Sequence, residues 1–72
     1  MKTDKRLESF GLRLKELRLK SEYSQEELAE IAGLDRTYVS SCERGKRNIS
    51  LLNILKFAEA LNIEPASLLQ KK

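Results

Sequence analysis

The sequence predicts an all-α domain built from five short helices. Three observations carry that expectation: apolar residues recur at helical spacing, residues able to cap helices precede the apolar runs, and glycines stand where runs stop. Leu7, Phe10, Leu14 and Leu17 lie on one face of a helix from roughly 6 to 20. Ser24 with Glu27 three residues on forms a capping box, so a second helix starts there, carries Leu28, Ala29 and Ala32, and ends at Gly33 after about two turns. Asp35 caps a third helix, which Gly45 can terminate in the left-handed conformation. Ser50 caps a fourth, with Leu51, Ile54, Ala58 and Leu61 on its main face. Pro65 suits the first turn of a brief fifth that ends with Leu68 and Leu69. No strand alternation, repeat, linker or low-complexity segment appears, so residues 1–72 are expected to form one compact domain.

Composition narrows the chemistry. A single cysteine excludes an intramolecular disulfide, and the absence of histidine leaves no plausible zinc site or imidazole base. No run of about 18 apolar residues and no signal-peptide core are present, which points to a cytoplasmic protein with no membrane partner. The net charge of +3 is unevenly spread. Residues 1–20 carry seven basic and three acidic groups, residues 21–34 four acidic groups alone, and residues 35–47 four basic and two acidic groups. The basic cluster RGKR at 44–47 follows the third helix, where positive charge can meet phosphate; a solvated surface would look the same by charge alone.

Counting from Gln25, Ala29 is four positions on, Gly33 eight and Val39 fourteen. Two short helices that cross steeply need a small side chain where their backbones approach, a positive φ in the turn, and a compact apolar residue facing back from the second helix. Ala29, Gly33 and Val39 supply these in order. The spacing is that of a helix-turn-helix at about 24–44, and the polar stretch within GLDRTYVSSCERGKRN becomes its recognition helix.

From FGLRLKELRLKSEYSQEELAEIAGLDRTYVSSCERGKRNISLLNILKFAEALNI the chain resembles the phage-repressor (XRE) type of helix-turn-helix domain over nearly its whole length. The S-Q-E-E-L-A and E-R-G segments are specific to that family, and LDRTYVSSCERGKRN is similar to the controller proteins of restriction–modification systems. The resemblance implies five helices, with the second and third forming the motif.

Arg36 and Thr37 open the recognition helix, where an arginine can donate a bidentate pair to guanine and a threonine methyl can pack on thymine. As a merely solvated residue, Arg36 would sit unfavourably at the positive end of the helix dipole. Ser40 and Ser41, one turn on, suit a water-mediated base contact or close approach of the helix. Tyr38 can bond a phosphate or shield the core edge. Gln25 can hold a phosphate at the start of the second helix and brace the recognition helix; the resemblance implies a phosphate clamp there. It also implies that Arg47 reaches a base or the minor groove; Lys46 and Asn48, which with Arg44 continue the basic, polar surface, suit a grip on the backbone. Arg18 and Glu43 match a structural salt bridge of the family. Cys42 is spaced as a small core side chain, not a nucleophile.

Leu52, Leu55, Ile63 and Leu69 form a strip beside the main core face and are candidates for a dimer interface. A twofold dimer would set two recognition helices about 34 Å apart, matching a palindromic operator in double-stranded DNA. Glu26 and Glu30 share a face of the second helix. They are either helix-dipole support and a solvated charge, or the acidic patch that in this family can touch an RNA polymerase sigma factor. The expectation is a homodimeric, sequence-specific regulator of transcription without cofactor or small-molecule ligand, of the restriction–modification controller kind. A phage-type repressor or a toxin–antitoxin antitoxin are alternatives within the class, and a helical protein-interaction module without DNA binding is one outside it. No constellation of nucleophile, base and oxyanion donor supports an enzyme.

Overall fold

The computed structural model describes residues 4–70; the ends of the expected domain, residues 1–3 and 71–72, lie outside the described residues. Five helices and no strand occur among them: α1 (Lys5–Lys20), α2 (Gln25–Ala32), α3 (Arg36–Glu43), α4 (Leu51–Leu61) and α5 (Pro65–Leu68). Side chains start four of the five. Asp4 accepts from the Arg6 amide, Asp35 from the Thr37 amide and Ser50 from the Asn53 amide, while Ser24 and Glu27 form the full reciprocal box. Pro65 supplies the preset φ of the first turn of α5.

The turns after the first four helices share one device. Glu22, Gly33, Gly45 and Asn62 have φ of 61°, 72°, 74° and 55°. In each case the next amide bonds five residues back, Tyr23 to Arg18, Leu34 to Ala29, Lys46 to Ser41 and Ile63 to Ala58. These are Schellman-type ends, in which a left-handed residue lets the chain turn back and satisfy a carbonyl of the last turn. Tyr23, Leu34 and Ile63 then pack against the core. The glycines signal two of these turns in the sequence; Glu22 and Asn62 adopt the same conformation at a cost of about 1–2 kcal/mol that the surrounding bonds and packing offset.

The core joins Phe10, Leu14 and Leu17 of α1 to Leu28, Ala29 and Ala32 of α2, Val39 and Cys42 of α3, Phe57, Ala58 and Leu61 of α4, and Leu68 of α5. Two expectations are corrected here. On α4 the inward stripe is Ile54, Phe57, Ala58 and Leu61; Leu51 is 71% exposed, because as the first residue after the Ser50 cap it projects beyond the bundle. Ile63 belongs to the core edge and not to the exposed strip, since the left-handed turn at Asn62 folds it back onto the bundle. The fifth helix stops at Leu68, leaving Leu69 exposed, and Leu7 is only half-buried.

Backbone meets backbone where α1 crosses the end of α3. A Cβ at Gly11 would lie 2.5 Å from the carbonyl oxygens of both Cys42 and Glu43, a separation that no side-chain movement could relieve. At the other end of the bundle Arg13 donates to the Ser67 carbonyl at 2.7 Å and to Gln70 at 3.0 Å, tying α5 to α1.

Candidate nucleic-acid interface

A buried network sets the pose of α3. Arg18 Nε donates to Glu43 Oε2 at 2.6 Å and its Nη2 to Oε1 at 3.2 Å, while Nη1 donates to the Tyr23 carbonyl at 2.7 Å. Gln25 Nε2 adds a third donor to the same carboxylate, at 3.0 Å from Oε1. Three helices thus meet at one residue, the last of α3. Both charged side chains are buried, and no buried side-chain nitrogen or oxygen among the described residues lacks a partner. Removal of two charges from water is costly, so the pair is best understood as fixing geometry: its bidentate form admits one mutual orientation of α1 and α3.

With Val39 and Cys42 turned inward, the opposite side of α3 is free. Arg36 and Thr37 are exposed and Ser40 and Ser41 half-buried. Gln25, Arg36, Thr37 and Ser40 line one shallow hollow of about 150 Å³. The structure therefore brings together four of the residues singled out in the sequence, from the N-termini of α2 and α3. Lys46 and Asn48 are exposed on the loop that follows, and Arg44 donates to the Ser40 carbonyl at 3.3 Å. Glu26 and Glu30 are exposed on α2. A larger hollow, between the start of α1 and α5, shares no residue with the α3 face.

Tyr38 and Arg47 form a second cluster. The Tyr38 ring lies nearly parallel to that of Phe57, centroids 6.5 Å apart and planes 9° apart, and the Arg47 guanidinium sits 5.1 Å from the Tyr38 centroid. Asn53 Nδ2 donates to the phenol oxygen at 2.9 Å. Tyr38 thus shields the core edge in the free protein, and because Asn53 donates to the phenol oxygen, a phosphate contact through the hydroxyl proton need not displace that bond. Burial pushes the Tyr38 phenol upward and lifts the Cys42 thiol to about 11, the latter partly offset by the Tyr38 hydrogen bond and by Arg47. Cys42 is a neutral, buried core residue at ordinary pH. Sequence reasoning missed Asn53 and Phe57; their four-residue spacing was there to be read, but the abundance of leucines on α4 pointed to another stripe.

Leu51, Leu52 and Leu55 leave an apolar area on the first half of α4, at 71%, 63% and 42% exposure, and Leu69 is 64% exposed. No helix among the described residues is long and apolar enough to cross a membrane.

A family model described as helix-turn-helix matches residues 14–68. The chain belongs to this family, of the phage-repressor type, whose members are DNA-binding regulators of transcription. It is 51% identical over 61 residues to the control protein C.BamHI of Bacillus amyloliquefaciens, covering 83% of this chain and 75% of that protein. The crystal structure of the restriction–modification controller protein C.AhdI from Aeromonas hydrophila superposes with a TM-score of 0.85 at 60% identity, over 86% of this chain and 94% of that one. SinR, a master regulator for biofilm formation solved in complex with DNA, matches with a TM-score of 0.81 at 37% identity, over 85% and 98% of the two chains.

Proposed function

We propose that this protein is a homodimeric, sequence-specific regulator of transcription that reads a palindromic operator in double-stranded DNA, in the manner of a restriction–modification controller. The observation that carries the proposal is the surface shared by Gln25 of α2 and by Arg36, Thr37 and Ser40 of α3, the helix whose pose the buried Arg18–Glu43 pair fixes. Arg36, Thr37, Ser40 and Ser41 face base edges in the major groove, with Arg47 entering from the loop. Gln25, Lys46 and Asn48 hold phosphates, joined by Tyr38 through its hydroxyl proton. Leu52, Leu55 and Leu69, with Leu51 added from the structure, supply the self-association surface. With this arrangement, regulation follows protein concentration and operator spacing rather than a ligand. Glu26 and Glu30, exposed beside the DNA-facing end of α2, are assigned to an RNA polymerase sigma factor, because carboxylates so placed repel phosphate and gain nothing from DNA. Similarity to named controller proteins supports this context over a phage or antitoxin role.

One set of assays tests the reading, using a duplex enriched from a random library by the wild-type protein. Arg36→Ala should cost about 1–3 kcal/mol on that duplex and relax preference at one base pair per half-site. Equal losses on enriched and random DNA would reduce Arg36 to a phosphate contact, and a wild type that enriches no sequence would leave a protein-interaction module as the better reading. In a purified transcription assay, the Glu26→Gln, Glu30→Gln double variant should bind at least as tightly yet lose activation. Retained activation would make those carboxylates a solvated face.

A further inference from the structure

We propose that Asn53 is a positioning residue for DNA recognition: by holding the Tyr38 phenol it fixes the aromatic platform on which Arg47 is pre-ordered. The proposal rests on the assignment of Arg47 to DNA. An arginine on a loop has many rotamers to lose on binding, and a ligand group already held near its bound pose loses fewer. Arg47 is exposed, follows the left-handed turn at Gly45, and its guanidinium lies over Tyr38. That ring is itself held at two points by one face of α4. Asn53 donates to its oxygen, and Phe57, one helical turn further along the same face, stacks against the ring. The Asn53 backbone is fixed in turn, since its amide is the one that the Ser50 cap accepts. The amide therefore transmits the position of α4 to a cation on the DNA-facing loop, through a ring on α3.

This arrangement makes a distinctive claim about non-additivity, because Asn53 acts only through Tyr38 and Arg47. With the enriched duplex as probe, Asn53→Ala in the full-length chain should weaken binding about three- to tenfold, the range expected for loss of one partly buried hydrogen bond. Tyr38→Phe, which deletes the same bond from the other side and keeps the ring, should weaken it similarly. The two changes together should cost no more than either alone, and Asn53→Ala should add nothing to Arg47→Ala. In the free protein the Arg47 side-chain protons should show upfield ring-current shifts by NMR that relax toward unshifted values in Asn53→Ala, with the helical circular dichroism unchanged. If Asn53→Ala unfolds the chain, Tyr38→Phe carries the test through the Arg47 ring-current shifts, which a lost phosphate contact would not move in the free protein. The proposal is overturned if Arg47→Ala weakens binding but neither Asn53→Ala nor Tyr38→Phe does, if the losses multiply in the double variants, or if the Arg47 shifts do not move. If Arg47→Ala leaves binding intact, the assignment of Arg47 to DNA fails first, and the positioning role with it.

Discussion

The junction of α1 with α3 and the first half of α4 depart from the usual distribution of side chains in opposite directions. At the junction, an arginine and a glutamate are buried, yet the chain itself supplies every partner: Glu43 receives donors from Arg18 and Gln25, and Arg18 also reaches the Tyr23 carbonyl. On α4, three leucines are exposed among the described residues, at 71%, 63% and 42%. The first anomaly is resolved within the monomer and reads as architecture. The second is not resolved by the described residues and reads as a surface awaiting something apolar. Unusual burial alone therefore says little about function; whether the fold completes the environment is what separates the two cases.

The junction gives the largest expected effect. Glu43→Ala would leave the Arg18 guanidinium buried with only one carbonyl partner, and should destabilise the chain by about 3–5 kcal/mol in urea unfolding. A double replacement of Arg18 and Glu43 by Met and Leu removes both charges and should recover much of that loss while loosening the pose of α3. A loss below about 1 kcal/mol for Glu43→Ala would mean that the pair is solvated and that α3 is held by packing alone.

A smaller effect at the same junction appears at high pH. The Cys42 thiol is lifted from 9.0 to about 11 by burial. Below pH 9 both folded and unfolded chains keep the proton, and the group contributes no pH dependence. Between 9 and 11 the unfolded chain loses its proton while the folded chain retains it, so stability falls as pH rises. Wild type should lose up to about 1.4 kcal/mol per pH unit more than Cys42→Ala over that window. Parallel stability curves for the two proteins would show that Cys42 ionises as freely in the fold as outside it.

The sequence made the two regions unequally legible. Caps, the Gly33 turn and the Ala29–Val39 spacing are local patterns, and the helices form where those patterns say. The junction is not local. Nothing in the string shows that Gly11 must lack a Cβ because it meets the carbonyls of Cys42 and Glu43, more than thirty residues away. The left-handed residues Glu22 and Asn62 were unreadable for a related reason, since only the completed turn makes their conformation worthwhile. On α4 the difficulty was excess: two apolar stripes fit the same helix, and the choice of Phe57 over Leu51 depends on how the neighbouring helices dock. The Arg18–Glu43 contact came from family resemblance, and the Asn53–Tyr38–Arg47 relay from the structure alone.

The exposed α4 surface gives the smallest expected effect on the fold. Leu52 and Leu55 take little part in the core, so Leu52→Glu should change the stability of the isolated monomer by no more than about 0.5 kcal/mol. At protein concentrations well below the dimer dissociation constant, variant and wild type should therefore unfold at the same temperature. As concentration rises, only a wild type that self-associates gains stability by mass action, so its melting temperature should climb while that of Leu52→Glu stays level. Sedimentation over the same range should show the wild type passing from monomer to dimer and the variant remaining a monomer, because a buried, unpaired carboxylate opposes association. If both melting curves depend on concentration alike, the interface lies elsewhere. The outward leucines of α1, Leu12 and Leu19, then become the surfaces to change. If the variant is already unstable at low concentration, the leucine contributes to the monomer after all, and the contrast between a self-sufficient junction and an unfinished α4 face fails at its weaker side.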